Sequence, residues 1–144
     1  MNRRKFISTS CKTCMAIGFA GSISTMLQSC SSLPMYKTEL KNEQLFIPLS
    51  EFDSNKNILL VRNNEIEFDI AVIKTDNNYK ALYLQCTHQN QPLSLGDKKI
   101  SCSAHGSTFS LDGKVLNGPA DKSLIQYNTI VENMFIKIDI SKPI

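Results

Sequence analysis

Two short stretches decide how this chain must fold: Cys86-Thr-His88 and Cys102-Ser-Ala-His105, with thirteen residues between them. They contain the only two histidines of the chain and the only two cysteines beyond residue 30. Thiolate and imidazole groups are ligands for soft or borderline metals. Two compact pairs of such residues can converge on one site from opposite sides. We therefore predict that Cys86, His88, Cys102 and His105 bind a metal centre.

The order of the ligands within each pair bears on which metal centre they hold. Common zinc sites place two cysteines in one pair and two histidines in the other, whereas each pair here contains one of each. Mixed pairs are typical of a two-iron centre that has cysteines on one iron and histidines on the other. The residues therefore favour one [2Fe-2S] cluster per chain, and a zinc-stabilised binding module is the alternative.

The sequence around these residues resembles the Rieske family of iron–sulfur proteins. The resemblance covers roughly residues 45–140, and its specific motifs lie within 86–120. Residues 86–93 resemble the first cluster loop of the family and residues 102–109 the second. Residues 113–120 resemble the third loop, whose proline covers the cluster. The resemblance implies a domain of stacked antiparallel sheets that carries a small, loop-rich cluster-binding subdomain.

The resemblance also implies a role for each ligand. By analogy, Cys86 and Cys102 bind an inner iron, while His88 and His105 bind an outer iron near the surface. Two neutral imidazoles in place of two thiolates reduce the negative charge of the cluster and raise its potential. Rieske centres as a class have potentials of about −150 to +300 mV. The implied function is one-electron transfer, without a catalytic residue.

Four positions depart from the quinol-oxidising members of the family, and one of them is Gln89, where those members have an apolar residue. Those proteins have a disulfide between the two cluster loops, but the matching residues here are Gln91 and Ala104, which cannot form one. Phe109 stands where they have a tyrosine that hydrogen-bonds near the cluster, while their serine is kept as Ser107. Fewer hydrogen bonds stabilise a reduced cluster less. These departures predict a potential in the lower or middle part of the family range and resemble ferredoxin-type members.

The body of the chain predicts an all-β fold. Short runs rich in β-branched and aromatic residues alternate with turn residues, and no long helical period occurs. Asp112-Gly113 is a strong signal for a tight hairpin. The predicted strands are Leu45–Phe52, Asn57–Arg62, Ile66–Lys74, Tyr79–Gln85, Lys99–Ser101, Thr108–Leu111, Lys114–Leu116, Leu124–Val131 and Met134–Ile140.

The first thirty residues predict an export signal. Arg3-Arg4 belongs to a basic start that resembles a twin-arginine signal, and residues 13–27 are apolar or small and carry no charge. The four residues 27–30 resemble a bacterial lipobox, which would place a lipid on Cys30. An uncleaved N-terminal anchor is the alternative. Residues 31–42 then read as a polar tether and residues 43–144 as the Rieske domain, with the cluster-binding subdomain at about 86–120.

Charge excludes one class of partner and agrees with the export signal. Four of the 16 basic residues lie in the first twelve positions, where no acidic residue occurs. From residue 13 onward, 12 basic residues face 13 acidic ones, so the body offers no basic surface for nucleic acid. We therefore expect a membrane-attached, extracytoplasmic electron carrier, or a subunit of a redox complex, that works with protein partners. A Rieske ferredoxin that supplies an oxygenase is the second possibility.

Overall fold

The computed structural model describes residues 33–52, 55–76 and 78–144. Within this part the chain is built from β-strands and one 3-10 helix, Leu49–Glu51. None of its described helices is long and apolar enough to cross a membrane. The strands, in chain order, are β1 (Met35–Lys37), β2 (Leu40–Lys41), β3 (Gln44–Pro48), β4 (Ile58–Arg62), β5 (Ile70–Lys74), β6 (Tyr79–Tyr83), β7 (Ser94–Leu95), β8 (Ile100–Ser101), β9 (Thr108–Phe109), β10 (Val115–Asn117), β11 (Gln126–Glu132) and β12 (Phe135–Pro143).

Eight strands form one large sheet in the order β1-β4-β5-β6-β11-β12-β3-β2. All neighbouring pairs are antiparallel except β1 and β4, which run parallel. Strand β5 is central and is buried on both faces. Because side chains alternate along a strand, Ile70 and Val72 enter one apolar cluster while Ala71 and Ile73 enter another. The large sheet therefore separates two cores.

Strands β1 and β2 close this sheet on itself. They follow each other directly in the chain, yet β1 pairs with β4 and β2 pairs with β3. Between them, the Thr38 backbone N–H donates to the carbonyl of Arg62 (3.2 Å), and the Thr38 hydroxyl donates to the carbonyl of Phe46 (3.0 Å). Leu45 and Leu59, from strands on the two sides of this closure, share one buried cluster. Closure leaves few unpaired backbone groups at the edges of the sheet.

The small sheet has four strands in the order β10-β9-β8-β7, all antiparallel. The hairpin between β9 and β10 turns at Leu111-Asp112-Gly113, where the Ser110 N–H donates to the carbonyl of Lys114 and Gly113 has a φ of 81°. This is the hairpin that Asp112-Gly113 predicts. Ile100 and Phe109 of the small sheet pack with Leu82 of the large sheet, so one apolar cluster joins the two sheets.

The predicted all-β class with stacked antiparallel sheets is confirmed, and each of the nine predicted strands is present with adjusted ends. Three short strands, β1, β2 and β7, were not predicted. Two of them lie in residues 31–42, which the sequence assigns to a tether, so part of that stretch belongs to the sheet. It reads as polar because only alternate residues, such as Tyr36 and Leu40, pack against the core. The predicted export signal, residues 1–30, lies outside the described residues.

Candidate metal centre

The first ligand pair sits on a loop with a defined hydrogen-bond frame. It leaves β6 and begins at Cys86, whose N–H donates to the carbonyl of Gln91 (2.8 Å). The N–H of Asn90 donates back to the carbonyl of Cys86 (2.9 Å), and Asn90 has a φ of 45°. Asparagine tolerates this left-handed conformation better than most residues. The frame leaves His88 exposed at the tip of the loop.

The second ligand pair sits on a loop with the same frame. The N–H of Cys102 donates to the carbonyl of Ser107 (2.8 Å), and the N–H of Gly106 donates back to the carbonyl of Cys102 (3.1 Å). Gly106 has a φ of 79°, so it takes the place that Asn90 has in the first loop. Each cysteine therefore lies at the base of its loop, and His105, like His88, is exposed.

The structure pairs the four predicted ligands like with like, the two cysteines in the core and the two histidines at the surface. Cys86 and Cys102 are 1% and 2% exposed and belong to the apolar cluster between the two sheets. The exposed imidazole rings of His88 and His105 meet edge to face, with ring centroids 5.0 Å apart and an interplanar angle of 87°. Cysteine is thus grouped with cysteine and histidine with histidine, although each loop contributes one of each.

The surroundings of Cys102 favour its thiolate. Burial raises the pKa of the thiol, but hydrogen bonds from the backbone N–H groups of Ala104 and His105 and from the Cys86 thiol outweigh burial and lower the pKa below its ordinary value. A thiolate is the form of cysteine that binds metals. The loop therefore prepares Cys102 for ligation.

Two hydrogen bonds tie the third loop, and the residues just after it, to the two ligand loops. The backbone N–H of Ala120 donates to Oγ of Ser107 (3.0 Å), and Ser107 is fully buried. The hydroxyl of Thr87 donates to the carbonyl of Lys122 (2.7 Å). The Gly118-Pro119 peptide bond, just before Ala120, is cis. Thr87 and Asn90 were not predicted from the sequence to shape the site. Only Asn90 could have been, since asparagine is common where φ is positive.

The structure places the residues that differ from the quinol-oxidising members either at the surface or in the apolar core. Gln91 and Ala104 are exposed, and among the described residues both cysteines, Cys86 and Cys102, are free thiols. The ring of Phe109 is fully buried among the apolar side chains that pack between the two sheets. No three His, Cys, Asp or Glu side chains within residues 33–52, 55–76 and 78–144 are grouped tightly enough to hold a single metal ion.

Comparison with known protein families decides the kind of centre. Residues 42–128 match the Rieske [2Fe-2S] domain. The chain belongs to the Rieske family. It therefore binds a [2Fe-2S] cluster, and this finding decides between the cluster and the zinc alternative. The grouping of cysteine with cysteine and histidine with histidine, together with the lowered pKa of Cys102, fits such a two-iron group.

Relatives of this Rieske protein include iron-sulfur subunits of cytochrome b6-f complexes. The subunit of Synechococcus sp. (strain WH7803) is 44% identical over 50 residues, which are 33% of this chain and 28% of that protein. The subunit of Chlorobaculum tepidum is 24% identical over 110 residues, which are 75% of this chain and 59% of that protein. The chain thus spans less than two thirds of the length of these relatives.

A solved structure shares the fold of this Rieske protein. One chain of the complex of reduced oxygenase and oxidized ferredoxin in carbazole 1,9a-dioxygenase superposes with a TM-score of 0.54 at 19% identity. The match covers 72% of this chain and 99% of that chain. At this identity the likeness supports the fold only.

Proposed function

We propose that this protein passes single electrons between redox protein partners, with its [2Fe-2S] cluster held by Cys86, His88, Cys102 and His105. We further propose that it works on the extracytoplasmic side of a membrane, to which a lipid on Cys30 attaches it. An uncleaved N-terminal segment is the alternative attachment. The protein is an electron carrier or a subunit of a redox complex rather than a stand-alone enzyme.

The observation that carries the electron-transfer proposal is the pairing of the four residues, the cysteines in the core and the histidines at the surface. When bound, the cluster supplies a centre that accepts and releases one electron. Burial of Cys86 and Cys102 keeps their sulfur atoms away from water and oxidants. Exposure of His88 and His105 gives a partner protein direct contact with two ligands, which shortens the path of the electron.

Spectroscopy of the purified full chain tests the cluster and its ligands. We expect two irons and two sulfides per chain, visible absorption in the oxidised form and an EPR signal on reduction. Cys102→Ser should abolish the cluster, while Ser103→Ala, an exposed change on the same loop, should leave it intact. A colourless protein with stoichiometric zinc would contradict the proposal. So would a Cys102→Ser protein that keeps the full cluster.

Three sequence features and the relatives support the membrane proposal. Arg3-Arg4 begins a basic segment, residues 13–27 carry no charge, and Cys30 ends a lipobox-like motif. The relatives named above are subunits of cytochrome b6-f complexes. This supports a membrane complex as the partner.

Cell fractionation tests the membrane proposal. Expressed in a bacterium that processes lipoproteins, the chain should appear in the membrane fraction with an acylated N-terminal Cys30, which mass spectrometry detects. Cys30→Ser should lose the lipid, and replacement of Arg3 and Arg4 by lysine should retain the protein in the cytoplasm. The matched control is Cys11→Ser, which changes a cysteine outside the lipobox-like motif.

A Rieske ferredoxin that reduces an oxygenase is the second candidate. Gln91 and Ala104 favour it, because they replace the loop disulfide of the quinol-oxidising members. The fractionation experiment separates the two candidates. A cytoplasmic, unlipidated protein that still begins at Met1 would support the ferredoxin and contradict the membrane proposal.

A further inference from the structure

We propose that the face of the domain formed by β1, β2, β3 and the β11–β12 hairpin is a docking face for an anionic lipid bilayer. This closing face consists of Tyr36, Lys37, Lys41, Phe46 and Phe135, which line a cavity of about 530 Å³, together with the neighbouring turn residue Met134. The inference rests on the membrane attachment proposed above. It adds which surface meets the membrane and how the cluster is then oriented.

Exposed apolar side chains concentrate around the closing face. Of the seven large apolar residues exposed in the described part of the chain, five lie on β1 or on the β11–β12 hairpin. These are Met35, Ile130, Val131, Met134 and Phe135. Met134, at the tip of the hairpin, is 72% exposed. Large exposed apolar residues grouped on one side mark an interaction surface.

The aromatic and basic side chains of the closing face suit the headgroup region of a bilayer. Tyr36, Phe46 and Phe135 supply aromatic rings, which favour the boundary between headgroups and hydrocarbon. Lys37 and Lys41 line the same cavity and would attract anionic headgroups. Glu39 also lines it and forms an ion pair with Lys41 at 3.6 Å, so Lys37 carries the larger share of this attraction.

The short length of chain between Cys30 and β1 favours a bilayer, rather than a protein, as the partner of the closing face. Five residue steps separate Cys30 from Met35, and an extended chain spans at most about 3.5 Å per residue, so this segment reaches at most about 17 Å. The carbonyl of Pro34 already accepts a hydrogen bond from Leu60 (2.9 Å) and belongs to the folded domain. A lipid on Cys30 would therefore hold the start of β1 against the membrane surface.

The tip of the β11–β12 hairpin lies at the opposite end of β6 from Cys86. Strand β6 begins at Tyr79, whose carbonyl accepts a hydrogen bond from the Thr129 hydroxyl of β11 (2.6 Å), and it runs toward Cys86. Strand β11 runs the opposite way, from Gln126 beside Leu82 to the hairpin that contains Met134. With the hairpin tip on the bilayer, the end of β6 that leads to Cys86 lies away from the lipid. The electron partner is then a protein in the aqueous phase.

Binding to lipid vesicles tests the apolar part of the closing face. The experiment uses the full chain with its cluster and with Cys30→Ser, which removes the lipid. Vesicles contain phosphatidylcholine alone or with phosphatidylglycerol. Met134→Asn should weaken binding roughly tenfold, the ratio expected when one large apolar side chain loses its burial. Asparagine tolerates the φ of 66° at this position, so the turn is kept.

Matched controls lie on or beside the small sheet. Leu116 is 61% exposed on β10, and Leu116→Asn should leave vesicle binding unchanged. Lys37→Glu should weaken binding to the vesicles with phosphatidylglycerol, whereas Lys98→Glu, an exposed lysine beside β8, should not. None of these changes should alter the amount of cluster per chain.

Several results would overturn the docking face. They are no binding by the Cys30→Ser protein, equal losses for Met134→Asn and Leu116→Asn, or a dimer in solution that Met134→Asn dissociates. The last result would make the face a contact between two copies. Failure of the membrane proposal is measured separately, because it would appear as an unlipidated Cys30 in cells. The electron-transfer proposal is tested by redox titration of the same protein.

Discussion

Oγ of Ser107 accepts a hydrogen bond from the backbone N–H of Ala120, with 3.0 Å between the two atoms. Ser107 is fully buried, and it ends the frame of the second ligand loop. Ala120 follows the Gly118-Pro119 pair of the third loop. This bond therefore connects the loop that carries the predicted ligands Cys102 and His105 with the third loop. It does so in a chain that lacks the cysteines for a disulfide between the ligand loops.

We predict that Ser107→Ala loosens the third loop. The change leaves the buried N–H of Ala120 without a partner, which costs about 1–3 kcal/mol of stability. The holoprotein should unfold at lower denaturant concentration and lose its visible absorption faster when a chelator is present. Ser103→Ala is the matched control, because Ser103 is exposed on the same loop. Equal stability of the two variants would show that the bond has no role.

We predict that Phe109→Tyr raises the reduction potential. Phe109 occupies the position of the family's tyrosine and is buried between the sheets, so its ring offers no donor to the cluster. A hydrogen bond to a charged group is worth about 1.5–3 kcal/mol, which for one electron corresponds to roughly 60–130 mV. Redox titration followed by EPR measures the shift. A fully loaded variant with an unchanged potential would refute the prediction.

We predict that two glycine substitutions separate backbone strain from steric clash. Gly106 and Gly113 have φ values of 79° and 81°, so alanine costs about 1–2 kcal/mol at either position. A Cβ at Gly113 would also lie 3.1 Å from Cδ2 of Leu82, which is fully buried, whereas a Cβ at Gly106 meets nothing within 4 Å. Gly113→Ala should therefore destabilise the protein more in chemical unfolding. Equal losses would argue against the clash.

We predict a contribution to stability from Asp112 that disappears in acid. A hydrogen bond from Lys80, reinforced by the charge of Lys80, lowers the pKa of Asp112 in the folded state. A lowered pKa stabilises the fold above the unfolded value of about 3.9, and this contribution is lost as the pH falls through the folded value. The pair is exposed, so the effect is small and weakens in salt.

Unfolding of Asp112→Asn at two pH values measures this contribution. The variant should be less stable than the parent at pH 7, and the difference should vanish below the folded pKa of Asp112. Asp121→Asn, an exposed change just beyond the third loop, is the matched control for the loss of one negative charge. A difference that persists in acid would assign the effect to packing rather than to charge.

Most of the fold could be predicted from the sequence because strand-forming and turn-forming residues occur where the strands and turns are. Strand β5 is a run of β-branched and small residues, and Asp112-Gly113 turns the β9–β10 hairpin as its residue types require. The strands that escaped prediction are short. Leu40–Lys41 and Ser94–Leu95 have only two residues each, too few for a hydrophobic period to be visible.

The sequence by itself determined the all-β class, and it supplied the prediction of the four ligands and of the positions that depart from the family. These follow from residue type and spacing, which act over a few neighbouring residues. Tertiary structure alone decided that Thr38 joins β4 to β3, because closure of a sheet depends on partners far apart in the chain. It also decided how the four predicted ligands pair. Two loops with the same hydrogen-bond frame place both cysteines in the core and both histidines at the surface, an arrangement that neither loop specifies alone.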